Sequence, residues 1–244
     1  MRTVHLHRPD IAVQHHVPES GGRLGPWMWL VGGVALFFAV PFVGTELLDM
    51  PRDLYYLGYL IVVVAFSAAF VATYRSRLTH LWRHNWRWSL AVGALAGAAV
   101  AGIVLSSAGT AHPEGWRWWF EIGWRGAVYG STDTVALFVF PAAVAHLVMH
   151  GNRTGASRKV GFGLLALALS LLVSTSYHLG YAEYRDADLR SPLIGTVIAD
   201  SSVVLTGNPV GAFLTHTAAH VTSVVHQYEG GPTHMLPPNP DEQE

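Results

Sequence analysis

Of 244 residues, 51% are hydrophobic and only 13% charged, about half the charged share of soluble domains, which excludes an ordinary soluble fold. The net charge of −1 offers no basic field to nucleic acid and excludes that class of partner. With no cysteine in the chain, disulfides, thiolate-bound zinc and thiol catalysis are excluded together.

Residues 1–25 form a polar, His-rich tail. The first apolar run opens near Pro26, too far in for a usual cleavable signal, so it is expected to remain as an uncleaved first span. From there apolar blocks alternate with short polar stretches containing Gly and Pro. A helix needs about 20 apolar residues to cross the roughly 30 Å hydrocarbon core. The blocks at 27–44, 54–74, 88–107, 132–149, 160–177, 193–205 and 210–225 are therefore read as spans. The expected fold is an all-α, polytopic transmembrane helical bundle of about seven spans over 26–228. The block at 193–205 is short and carries Asp200, so it either re-enters the membrane or spans it with Asp200 turned toward protein. Asn208-Pro209 separates it from the last block, because a residue preceding proline disfavours the helical conformation. The tail 229–244, Pro-rich and ending in acids, is expected to be disordered.

Loop charges alternate along the chain. Arg2, Arg8 and Arg23 precede the first span; Arg75, Arg77, Arg83 and Arg87 follow the second; Arg153, Arg158 and Lys159 follow the fourth. The intervening loops carry Glu46, Asp49 and Asp53, then Glu114, then Glu183, Asp186 and Asp188. By the positive-inside rule this places the N-terminus and the Arg-rich loops in the cytoplasm. Trp27, Trp29, Trp82, Trp86, Trp88 and Trp116, Trp118 and Trp119 stand at expected span ends, where amphipathic rings favour the interface.

An ionisable group at membrane depth is costly and marks a functional candidate. Glu121 and Arg125 are spaced i,i+4, so they share a helix face and can pair; an interfacial anchor is the plainer reading. His178 closes an apolar run, where an interfacial hydrogen bond is the plainer role. His216 and His220, again i,i+4, are placed as a helix places two imidazoles on one metal. Asp200 is a candidate partner that orients a histidine. His146 and His150 also stand four apart and are read as structural.

Taken in order, these pieces resemble the CAAX protease and bacteriocin-processing (CPBP) family of intramembrane endopeptidases, over residues 116–226. Glu121-Ile122-Gly123-Trp124-Arg125-Gly126 is similar to the Glu-Glu-x-x-x-Arg motif of that family. Ser174-Thr175-Ser176-Tyr177-His178 is similar to its Phe-x-x-x-His motif, and Asn208-Pro209 leading into His216-Thr217-Ala218-Ala219-His220 to its third, His-x-x-x-Asn or Asp. Phe120 stands where the family has its first, water-activating glutamate; Ser174 replaces the phenylalanine and His220 the Asn or Asp. The resemblance implies an integral protein of the bacterial plasma membrane. It implies hydrolysis of a peptide or membrane-protein segment by a Glu/His-activated water, with Glu121, Arg125, His178, His216 and His220 as catalytic residues. If a metal takes part, the resemblance implies zinc on His178, His216 and His220. Two other readings stay open. One is a haem- or metal-binding protein using His146, His178, His216 and His220 at matching depth. The other is a transport or scaffold subunit in which the buried polar groups form a proton or ion path; the resemblance also leaves room for a catalytically inactive relative that keeps the cavity.

Overall fold

The structure is a computed structural model and describes residues 25–151, 154–186, 189–230 and 235. The polar tail before Gly25 and nearly all of the C-terminal tail lie outside the described residues, as do the expectations of orientation and disorder placed on them.

Among the described residues every regular element is helical: α1 (Gly25–Leu47), α2 (Arg52–Arg83), α3 (Trp86–Leu105), α4 (Gly115–Val148), α5 (Ala156–Leu179), the short α6 (Ala182–Asp186), α7 (Arg190–Thr206) and α8 (Val210–His226). Five of them, α1 to α5, are long and apolar enough to cross a membrane, which corrects the expected seven. The other two, α7 and α8, have 17 residues each, about 25 Å at the helical rise and short of the roughly 30 Å core. The polar residues that dilute their apolar runs face inward: Asp200, Ser202, His216 and His220 are all buried.

The helix boundaries follow from local chemistry. Pro41 lies inside α1 and the next turns, Phe42–Leu47, widen to π geometry, as expected where a proline withholds its backbone donor. Pro51 precedes the first residue of α2. That helix, at 32 residues, outruns the bilayer and bends at Tyr74, whose φ of −120° and ψ of 15° leave the helical region. Arg75, Arg77 and Arg83 follow the bend. Asn85 turns the chain from α2 into α3 with φ 52°, a left-handed conformation that asparagine tolerates.

The largest departure from the sequence reading is α4. The fourth span was expected at 132–149, but the helix starts at Gly115 and runs unbroken for 34 residues. It is the core of the bundle: 83% of its most apolar stretch is buried, against 22–44% in the other four spans. Two π-helical segments, Ile122–Tyr129 and Val135–Val139, interrupt its α-helical turns. In an α-helix a step of four residues overshoots a full turn by about 40°, and the wider π turns take that drift back. Glu121, Arg125, Tyr129 and Asp133 consequently stay on one buried face.

Small residues bring α8 against its neighbours, as in close-packed membrane helices. Thr215 Oγ1 donates to the Gly93 carbonyl of α3 at 3.0 Å. A Cβ added to Gly97 would lie 3.5 Å from the Ala218 methyl, and one added to Gly130 of α4 only 2.6 Å from the His220 Cβ. At the Arg-rich end Asn208, fully buried, donates to the carbonyls of Leu81, Trp82 and His84 at 2.9, 3.0 and 2.7 Å. Its Oδ1 accepts from Val210 N at 2.9 Å. The α7–α8 break is thereby fixed to the α2–α3 turn. At the opposite, acidic end His226 Nε2 donates to the Ser107 carbonyl at 2.8 Å. Trp82, Trp86, Trp88, Trp116 and Trp119 are exposed at helix ends, where they suit the interfacial role. Trp29 instead packs its ring on Phe66 and Phe70 inside the bundle.

Candidate metal centre

Halfway along α8, which runs from Val210 to His226, His216 and His220 point one turn apart at α4. The i,i+4 spacing sets their rings edge to face, centroids 4.7 Å apart, and the close approach at Gly130 lets α4 meet them. The residue that meets them is Asp133. His220 Nε2 and His216 Nε2 lie 3.1 Å apart. Asp133 Oδ2 is 3.5 Å from the first and 4.0 Å from the second. All three residues are buried, and together they are a group that can hold a metal ion.

The donor set fits a small divalent cation. Bonds of about 2.0–2.1 Å in four-coordinate zinc put the donor atoms roughly 3.3 Å apart, and the three edges here are 3.1, 3.5 and 4.0 Å. The ligand types, two imidazoles and a carboxylate, are those of open catalytic sites. A carboxylate at this depth also needs a counter-charge, which a cation shared by the three side chains provides. Asp133 Oδ1 and His220 Nδ1 have no hydrogen-bond partner among the described residues.

On the acidic side of this group lies a cluster of buried tyrosines: Tyr55, Tyr56 and Tyr59 of α2, Tyr129 of α4, Tyr177 of α5 and Tyr181 just beyond it. Four hydroxyls are strung together. Tyr129 bonds Tyr177, Tyr177 bonds Tyr181 at 2.8 Å, and Tyr181 bonds Tyr55 at 2.6 Å. The Tyr129 ring presents an edge-to-face contact to His220, with centroids 5.5 Å apart. Phe138 packs against His216 on the other side at 4.9 Å.

The residues expected to share one site do not all do so. Glu121 lies three turns from Asp133 along α4, roughly 18 Å at the helical rise. It pairs with Arg125 at 2.7 Å and with Arg117 at 3.7 Å. Arg125 also reaches Asp53 at 3.2 Å and Tyr228 at 3.1 Å, so each of its three nitrogens is engaged in that network. His178 does not belong to the metal-ligand group, which corrects its expected place as a ligand; Asp133 takes that position. Its Nδ1 donates to the Ser174 carbonyl one turn back at 2.7 Å, and its ring meets Tyr177 and Tyr184 edge-on at 5.2 and 4.9 Å. Asp200 is buried on α7 beside Ser170 of α5 and is not hydrogen-bonded to a histidine among the described residues. His146 donates to the Arg77 carbonyl at 3.0 Å, at the Arg-rich end and far from the depth of His178.

Sequence reasoning missed Asp133 and the tyrosines. Asp133 stood at the first residues of the expected fourth span, in the polar run Gly130-Ser131-Thr132-Asp133-Thr134, and so looked interfacial. The legible signal was the four-residue period of Glu121, Arg125, Tyr129 and Asp133, which marks a helix continuing through that run. Tyr55 with Tyr59, and Tyr177 with Tyr181, repeat the same spacing.

No family model, no curated protein and no solved structure matches the chain.

Proposed function

We propose that the protein is a membrane-embedded, metal-dependent hydrolase whose centre is Asp133, His216 and His220. The observation that carries this reading is the convergence of two imidazole nitrogens and one carboxylate oxygen, at metal-ligand spacing, on a buried point halfway along α8. A divalent cation bound there, with zinc the best match to the ligands, supplies Lewis-acid activation of a water and a carbonyl. The chain's own residues do the rest. The two histidines and Asp133 hold the centre, and Phe138 and the tyrosine rings exclude bulk water from it. The Glu121–Arg125–Asp53 network braces the acidic end of α4 against α2. This moves the carboxylate role from Glu121 to Asp133.

The substrate class rests on the resemblance of 116–226 to the CPBP endopeptidases: a peptide bond in a peptide or membrane-protein segment that reaches the site from lipid. The plasma-membrane location and the cytoplasmic N-terminus belong to the same proposal, supported by the alternation of Arg-rich and acidic loops.

The test is a purified preparation in lipid nanodiscs, assayed for zinc by elemental analysis and for cleavage of a fluorogenic transmembrane peptide. About one zinc per chain is expected, with cleavage abolished by 1,10-phenanthroline and by Asp133→Asn. A chain that takes up no divalent metal when offered it, or that cleaves equally with Asp133→Asn, sinks the proposal.

A second reading, a proton-conducting subunit, is favoured by one observation: the unbroken hydroxyl chain Tyr129–Tyr177–Tyr181–Tyr55. It predicts acidification of proteoliposomes under an imposed potential, and that this flux falls with Tyr177→Phe. No flux above empty liposomes removes it.

A further inference from the structure

Tyr59 is one of two tyrosines of the cluster, with Tyr56, whose hydroxyls stand outside the hydroxyl chain. It is fully buried on α2. Its ring lies between those of Tyr129 and Tyr177, at centroid distances of 5.7 and 5.5 Å, and stacks on Tyr55 at 6.0 Å. Tyr55, Tyr129, Tyr177 and Tyr181 all spend their hydroxyls on one another. The Tyr59 hydroxyl completes no hydrogen bond among the described residues, and the Asp133 carboxyl is the hydrogen-bonding group beside it. On Asp133 the oxygen Oδ2 faces both imidazoles while Oδ1 is unpartnered. A buried donor thus lies beside a carboxyl whose Oδ1 is free, and both are unsatisfied. Leaving such groups unpaired is costly, and pairing them removes the penalty.

We infer that Tyr59 is the positioning residue of the metal centre: its hydroxyl donates to Asp133 Oδ1 and so holds Oδ2 toward His216 and His220. This rests on the reading of those three residues as a metal centre. A carboxylate ligand fixed by an outer hydrogen bond is the usual arrangement, and loss of such a partner lowers metal affinity about 10–100-fold. Tyr56 supplies the control. Its hydroxyl is also buried and unpartnered, but its ring stacks on Tyr129 at 4.0 Å and no hydrogen-bonding contact links it to Asp133.

The experiment titrates Co2+ into the full chain in detergent micelles and reads the visible absorption bands of the bound ion. Wild type is expected to saturate at one ion per chain. Tyr59→Phe keeps the ring and its packing; it is expected to weaken binding by about 10–100-fold and to shift the bands, while Tyr56→Phe leaves both unchanged. Size-exclusion profiles confirm that each variant is folded. Wild-type affinity and an unshifted spectrum in Tyr59→Phe overturn the inference and leave the metal centre standing. Equal losses in Tyr59→Phe and Tyr56→Phe overturn it too, since the effect is then general to the cluster. If wild type binds neither Co2+ nor Zn2+, the metal centre itself falls, and this inference with it.

Discussion

Two polar clusters lie on the same face of α4, about three turns apart, and they are built in opposite ways. At the acidic end Arg125 is saturated: Nε reaches Glu121 at 2.7 Å, Nη2 reaches Asp53 at 3.2 Å and Nη1 reaches Tyr228 at 3.1 Å. Tyr228 also underlies the guanidinium with its ring, 5.4 Å from the centroid, and Asp53 is half exposed to the outside. At the centre, Asp133, His216 and His220 converge on one point, yet Asp133 Oδ1 and His220 Nδ1 are left without partners. The contrast separates two uses of buried charge. A network in which each buried charge lies against a counter-charge holds helices together, whereas a convergent set of two imidazoles and a carboxylate is one that could hold a metal ion. Burial alone does not distinguish the two, because Glu121 and Asp133 are almost equally enclosed, at 3% and 4% exposure.

Substitutions can break this comparison, and the largest effect belongs to the centre. Removing one ligand, in His216→Ala, His220→Ala or Asp133→Asn, should eliminate stoichiometric zinc binding measured by calorimetry, with little change in the helical circular dichroism. Binding in wild type should weaken as pH falls, because imidazole must be neutral to act as a ligand. Retention of tight binding by His220→Ala would remove the distinction between the clusters.

Next in size is the ion pair. Arg125→Met leaves the Glu121 carboxylate buried without its main partner, which costs about 3–5 kcal/mol in such cases. The melting temperature in detergent should drop sharply while zinc affinity stays near wild type. The double variant Glu121→Met with Arg125→Met should recover much of the loss, since no lone charge remains. If Arg125→Met also abolishes zinc binding, the two clusters are one functional unit.

Gly130→Ala sharpens the comparison from the packing side. The new methyl would lie 2.6 Å from the His220 Cβ, and overpacking of this kind costs about 1–3 kcal/mol. It pushes α8 away from α4, so zinc affinity and melting temperature should fall together, unlike in Arg125→Met. The smallest effect is expected at the partly exposed Glu46–Arg185 bridge, 3.0 Å long. Glu46→Gln there should shift stability by less than about 1 kcal/mol; a larger loss would mean that the α1–α6 junction carries more of the fold than its exposure suggests.

The sequence by itself determined the class of the molecule and the local geometry of its helices. Apolar blocks and a low charge content suffice for a membrane bundle, because no other helical arrangement satisfies backbone and lipid together. The spacing of His216 and His220 suffices for a shared face, because helical periodicity is a local property. Tertiary structure alone decided which carboxylate those histidines meet. Glu121 and Asp133 occupy the same face of α4, and the choice between them depends on how deep α8 lies against α4, set by Gly130 and by the Asn208 clamp at the far end. It also decided the length of α4, since the polar run 130–134 looks like a helix start until its residues are covered on all sides. The two histidines, the carboxylate and the tyrosines come from α8, α4, α2 and α5, and distances between helices are fixed by packing, which no one-dimensional spacing encodes.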